Sequence, residues 1–281
     1  MAAAMPAGIG LEEALAMSDY VEPRTSLFTS LRIQIRVIGA LTLREMGSRF
    51  GRDNLGYLWL FLEPAMLGGA IGAFHELSGQ GLPGGLQPGI FWVMGYIPFY
   101  LFRGVVNRAP VAILGSQSLL YHMRITVLDI ILAKNILELA AVTTATLLFL
   151  ALFAMAVDFR PVHIEYILFG IFLMWALSNG LCLLIAAGSV YSEIFERITH
   201  LFTYLSLPVL GAFFMVFWLP TEAQSVALWI PTVHCFEMIR FGLYGTQVPT
   251  TFDLTYLGAW ILGLNLLGLA ALRHARRSLV I

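Results

Sequence analysis

Lysine is almost missing from this chain of 281 residues: Lys134 stands alone beside fifteen arginines. That excludes the GxxxxGK[ST] phosphate-cradling loop, whose lysine has no counterpart here. Charge of either sign is scarce, with Asp, Glu, Lys and Arg making up 12% of residues and a net charge of −1. Neither a basic nucleic-acid surface nor an acid-rich disordered tail has material to form. Cys182 and Cys235 are the two cysteines, both in apolar surroundings, so a disulfide framework or thiolate cluster is excluded and both read as packing residues. His75, His122, His163, His200, His234 and His274 lie dozens of residues apart, and no HExxH or GxSxG occurs. The chain is therefore expected to be no enzyme, with no catalytic residue, cofactor or metal of its own. Residues 1–20 carry Glu12, Glu13 and Asp19 but no basic residue, the wrong polarity for a signal peptide. The start of the chain is expected to stay in the cytoplasm.

What is abundant is apolar surface. Hydrophobic residues are 59% of the total and the mean hydropathy is +0.82, more than a domain of this size can hide from water. The expected fold is all-α and polytopic. A helix needs about 20 apolar residues to cross a bilayer, and six runs of that kind are found at 57–74, 89–111, 127–157, 164–190, 201–219 and 254–272. The third is long enough to tilt or project beyond the lipid. Arginines precede the first run (Arg24, Arg32, Arg36, Arg44, Arg49, Arg52) and follow the last (Arg273, Arg276, Arg277), which places both termini on the cytoplasmic side of the membrane. Arg124 and Arg197 agree with that topology, whereas Arg160 and Arg240 are exceptions.

Residues 1–26 form an N-terminal cytoplasmic segment, 27–52 an interfacial helix and 53–281 the transmembrane domain. Within 27–52, Leu27, Leu31, Ile35, Ile38 and Leu41 recur at helical spacing with Arg32 and Arg36 interleaved, predicting an amphipathic helix at the membrane surface. Residues 222–245 are apolar but broken by Pro231, Gly242 and Gly245 into pieces too short to span. They predict two short re-entrant helices lining protein or a wet path. His234, Glu237 and Arg240 are its polar residues.

Charges inside spans cost roughly 2.5 to 3.5 kcal/mol each on insertion scales, so each needs a reading. Lys134 and Glu138, one turn apart, are expected to neutralise each other as an intramembrane ion pair. Arg103 and Arg108 have no acid nearby in sequence. Their partner is Glu63, lipid phosphate or an anionic substrate. Glu63 precedes Pro64, a site for a bend in the first span. Among the aromatic residues, Phe99, Tyr100, Trp175, Trp229, Phe236 and Tyr244 are candidates to guide a sugar polymer by stacking. Gly68 and Gly72 form a GxxxG pair suited to close helix approach.

The run Leu43-Arg44-Glu45-Met46-Gly47-Ser48-Arg49-Phe50-Gly51-Arg52, continuing into Leu55-Gly56-Tyr57-Leu58-Trp59 and Glu63-Pro64, resembles the permease subunits of polysaccharide-exporting ABC transporters, the capsular branch most of all. The similarity continues through Ile97-Pro98-Phe99, Asn107-Arg108, Leu119-Leu120-Tyr121, and Pro231-Thr232-Val233-His234 with Glu237. The resemblance implies an ABC-2 type subunit that dimerises on two copies of a separate P-loop ATPase, where ATP and magnesium are bound. It implies a gate helix before the first span, a coupling segment at 115–126 with Tyr121, His122 and Arg124 facing the ATPase, and re-entrant helices before the last span. The implied cargo is a lipid-linked, acidic capsular polysaccharide passed on to periplasmic and outer-membrane components, with Arg49, Arg52, Arg103 and Arg108 at the substrate entrance. The same machine moving O antigen or teichoic acid is a sister reading. An ion-coupled secondary transporter using Lys134 and Glu138 is the reading from another class.

Overall fold

A computed structural model describes residues 27–50, 55–79, 81–114, 125–192 and 194–275. Two compact units divide the chain, 1–37 and 38–281. Helices account for most of the described residues, and the extended contribution among them is one isolated antiparallel bridge, Leu82 with Leu86.

The helices are α1 (Leu27–Phe50), α2 (Leu55–Leu77), α3 (Pro88–Asn107), α4 (Ala109–Leu114), α5 (Val127–Val157), α6 (Ile164–Ser189), α7 (Ile194–Ser206), α8 (Thr221–Ala227), α9 (Pro231–Tyr244) and α10 (Leu254–Ala275). Among the described residues, α3, α5, α6 and α10 are long and apolar enough to cross a membrane, and the bent pair α8–α9 makes a fifth candidate if it is taken as one span. At 31 residues α5 is about 46 Å long, well beyond a 30 Å hydrocarbon core. Its start is fixed by a capping box: Asp129 N–H donates to Thr126 Oγ1 at 3.2 Å, and the Thr126 N–H donates back to Asp129 Oδ2 at 2.9 Å.

The run at 201–219 is not the continuous span that its composition predicts. Helix α7 ends at Ser206, after which the chain turns through Pro208 and Gly211 to a single 3₁₀ turn at Val216–Trp218. Proline has no N–H to continue the ladder, and Gly211 sits at φ +100°, which side-chain-bearing residues rarely adopt. Hydropathy registers the apolar side chains and is blind to this backbone break. The two short helices expected between residues 222 and 245 are present as α8 and α9, bent by 106° at the step into Pro231.

Helix α3 is the most buried of the long helices, with residues Ile90 to Phe99 all buried. Glycines set how near its neighbours come. A Cβ on Gly68 would lie 2.6 Å from Val93 Cα, and one on Gly72 would lie 2.8 Å from Gly89 Cα, so the GxxxG pair is the α2–α3 contact. Gly180 and Gly268 do the same between α6 and α10, where added Cβ atoms would meet Asn265 N at 2.8 Å and Leu183 Cβ at 2.6 Å. An amide ladder fastens three helices: Asn135 Nδ2 donates to Asn179 Oδ1 at 2.8 Å, and Asn179 Nδ2 to Asn265 Oδ1 at 2.9 Å. Asn265 Nδ2 in turn donates to the Ala176 and Ile261 carbonyls.

Gly68→Leu is expected to force α2 off α3 and lower stability by about 1–3 kcal/mol, the usual cost of overpacking. Gly69→Leu, where nothing lies within 4 Å, serves as its control. Thermal unfolding in detergent measures both, and equal melting of the two variants would overturn the assignment of Gly68 as the contact.

Candidate functional site

The break after α7 leaves carbonyls with no helical partner, and α9 supplies the donors. Arg240 is 3% exposed; its Nη2 donates to Gly211 O at 2.7 Å and Ala212 O at 3.0 Å, and its Nη1 to Phe214 O. Glu237, one turn earlier, neutralises it at 3.4 Å and accepts from Val216 N–H and Thr251 N–H, each at 3.1 Å. The guanidinium also lies 4.8 Å from the Phe91 ring centre and 5.8 Å from that of Phe236. Thr232 Oγ1 donates to Leu210 O at 3.0 Å. Arg240 is thus an exception to the arginine rule because it is a backbone cap, neither an orientation signal nor a lipid-facing charge. Gly95 makes room: a side chain there would collide with Ala212 O.

His234 links the same helix to the start of α10. Its Nε2 lies 2.9 Å from the Leu228 carbonyl, which can only accept, and its Nδ1 lies 2.9 Å from the Asp253 N–H, which can only donate. Both bonds require the neutral ring with its proton on Nε2. The Asp253 carboxylate caps α10 by accepting from Tyr256 N–H and Thr255 N–H, which holds its pKa below the ordinary value. Tyr256 Oη donates to Trp229 O at 2.7 Å.

The two arginines of α3 and its end find carboxylates on other helices. Arg103 pairs with Glu63 of α2, which also accepts from Tyr96 Oη at 2.9 Å. Arg108 Nη1 donates to Glu138 Oε2 at 2.6 Å. This corrects the expected Lys134–Glu138 pair. Glu138 points into the α3 interface, where Gly104 leaves it space, and a Cβ there would come within 2.6 Å of Glu138 Oε1. The guanidinium reaching in from α3 takes the place given to Lys134, which is only partly buried.

The expected stacking aromatics divide. Phe99, Phe236 and Tyr244 are at most 4% exposed and belong to the packed interior, where a ring has no face to offer a polymer. Tyr100 and Trp175 are half-buried, and Trp175 Nε1 donates to Asn135 O at 2.8 Å. Trp229 is exposed. Sequence reasoning missed Tyr204, which is 63% exposed and faces Arg103 across 6.0 Å. The signal was the i, i+3, i+7 spacing of Arg197, His200 and Tyr204. In α1 a helix forms as expected, and Arg32 lies over the Phe28 ring at 5.6 Å. Its two faces are only partly segregated: at about 100° per residue Ile33 falls opposite Leu31, and both are exposed. The side chain of Arg49, and all of Arg52, Tyr121, His122 and Arg124, lie outside the described residues.

Arg240→Leu is expected to strand the carbonyls of Gly211, Ala212 and Phe214 and cost about 3–5 kcal/mol, as removal of one partner of a buried pair does. Glu237→Gln keeps an acceptor oxygen for Val216 N–H and should cost less. The ordering is read from thermal unfolding and from protease cutting between residues 207 and 219; an Arg240→Leu protein that melts with the unaltered one would contradict the capping role.

No family model matches the chain. Among characterised proteins, it is 37% identical over 253 residues to the capsule polysaccharide export inner-membrane protein BexB of Haemophilus influenzae, covering 89% of this chain and 95% of that one. It is 39% identical over 248 residues to the capsule polysaccharide export inner-membrane protein CtrC of Neisseria meningitidis serogroup B, covering 88% and 94%. The polysialic acid transport protein KpsM of Escherichia coli is 28% identical over 261 residues, covering 90% and 98%. Alignment over almost the whole of both partners, together with several apolar helices fastened by buried polar pairs, places the chain in the family of capsule polysaccharide export inner-membrane proteins, the family that its Leu43–Pro64 segment resembles.

Proposed function

We propose that this chain is the membrane-spanning subunit of an ATP-driven exporter, in which a homodimer works with two copies of a separate P-loop ATPase. The cargo is a lipid-linked acidic capsular polysaccharide moved from cytoplasm to periplasm and handed to periplasmic and outer-membrane components. The observation that carries the reading is the 37–39% identity to capsule polysaccharide export proteins along nearly the full length. An acidic cargo is supported by the relative named for polysialic acid, a polymer with a carboxylate on every sugar.

In this reading α2, α3, α5, α6, the broken segment from Ile194 to Leu219 and α10 make six crossings, with both termini in the cytoplasm. The pair α8–α9 then lies at the outer face as a re-entrant element. Lys134 as the only lysine leaves no Walker lysine, so ATP and magnesium belong to the partner, with Tyr121, His122 and Arg124 carrying its movement inward. Arg49, Arg52, Arg103 and Arg108 line the entrance. The ion-coupled alternative loses its coupling pair, because Glu138 is engaged by Arg108.

The tagged chain, purified from its native membrane in mild detergent, is expected to bring down a P-loop ATPase at one copy per chain. Arg124→Glu is expected to reduce that recovery at unchanged membrane abundance, with loss of surface capsule. Recovery of the chain alone, or ion-gradient-driven transport by the pure chain, would sink the ATP-driven reading.

A further inference from the structure

Helix α7 is built inside out. Thr199, Thr203 and Ser206 are buried, and Thr203 Oγ1 donates to Asn107 Oδ1 of α3 at 2.8 Å, while Ile198, Leu201 and Leu205 are exposed. Between these faces runs a third stripe. Arg197, His200 and Tyr204 follow i, i+3, i+7 spacing, share one line of the helix and are all exposed. At the end of the stripe the Tyr204 ring meets the Arg103 guanidinium at 6.0 Å, with the Tyr100 ring 5.3 Å away on the same cation.

The Arg103–Glu63 pair is not sealed inside the protein, since the two side chains are 18% and 23% exposed. Charges open to lipid are costly, whereas charges open to a water-filled path are not. An exposed stripe of arginine, histidine and tyrosine that ends on a part-open ion pair is a surface for something wet, anionic and ringed.

We infer that this stripe is a binding track for the acidic sugar units of the cargo. Arg103 contacts the sugar carboxylate, Tyr204 stacks on the sugar ring, and Glu63 is a resident carboxylate that the sugar's own carboxylate displaces. The inference rests on the proposed acidic polysaccharide cargo and assigns its recognition to particular atoms. Exchange of one carboxylate for another conserves the ion pair, and Tyr96 Oη keeps a bond to the released Glu63. The released Glu63 is left with that one bond and water, a cost that offsets part of what the sugar gains, so a polymer with an acid on each unit is held weakly enough to leave, the condition for passage rather than trapping. A neutral polymer has no group with which to displace Glu63, so the pair also selects.

The test uses the full chain in phosphatidylcholine nanodiscs, titrated calorimetrically with a sialic acid oligomer and with the same oligomer after reduction of its carboxyl groups. The acidic oligomer should bind more tightly, and Glu63→Gln, which removes the competitor, should tighten it about three- to tenfold, the scale of a partly exposed charge pair. Tyr204→Ala should weaken both oligomers, and Tyr204→Phe should restore them. The double variant Glu63→Gln with Arg103→Gln strands no charge, so it guards against misfolding, and it should lose the acid preference. No tightening in Glu63→Gln, or a preference kept by the double variant, overturns the track while leaving the exporter reading intact. A wild-type chain that does not distinguish the two oligomers overturns the acidic cargo and the track together. Preference erased by adding phosphatidylglycerol assigns the arginine to lipid phosphate and also overturns the track.

Discussion

The fold depends on one cation. Within a bilayer, backbone that leaves the helical ladder must find its hydrogen bonds inside the protein, and the segment after Ser206 stays out of regular helix until the 3₁₀ turn that starts at Val216. Arg240 meets three of the freed carbonyls with a single guanidinium, and Glu237 both neutralises it and takes up the Val216 N–H. A lysine could not do this, since its point charge lacks the planar fork that reaches several acceptors at once. The near-absence of lysine from the chain fits a protein whose cations are used as multi-pronged donors. Remove Arg240 and the break after α7 and the seat of Phe91 lose their common support.

The same economy governs the rest of the bundle. Lipid gives helices no hydrophobic reason to prefer each other over acyl chains, so association falls to close packing and polar contacts. Here the two are coupled in space: glycines bring α2 to α3, α5 to α3 and α10 to α6, and a polar pair sits at each of those seams. Glu63 and Arg103 join α2 to α3, Glu138 and Arg108 join α5 to the end of α3, and the asparagine ladder joins α5, α6 and α10. Gly104 shows the dependence directly, because the Glu138 carboxylate occupies the space its missing side chain leaves.

Much of this was legible in the sequence, and the failures have a shared cause. Apolar runs located α3, α5, α6 and α10, and the breaks at Pro231 and Gly245 located the bent pair α8–α9. Those are one-dimensional properties. The partner of Glu138 was not legible, because Lys134 at i+4 spacing satisfies local reasoning while the true partner comes from another helix at an orientation that only packing decides. The buried positions of Phe99, Phe236 and Tyr244 were hidden for the same reason. The break within 201–219 was visible in Pro208 and Gly211, but hydropathy outweighed two backbone signals. Arg240 looked anomalous for as long as arginine was read as an orientation signal alone.

The asparagine ladder also imposes an order on how the protein comes into being. Asn135 and Asn179 are synthesised 44 and 86 residues from the positions they bridge, and Asn265 is the last of the three to be made. Until α10 emerges from the ribosome and reaches the membrane, the Asn179 amide lacks the acceptor it has in the finished molecule. Insertion of α10 thus completes the ladder: its arrival supplies the Asn265 amide that ties α6 to it and, through Asn179, to α5.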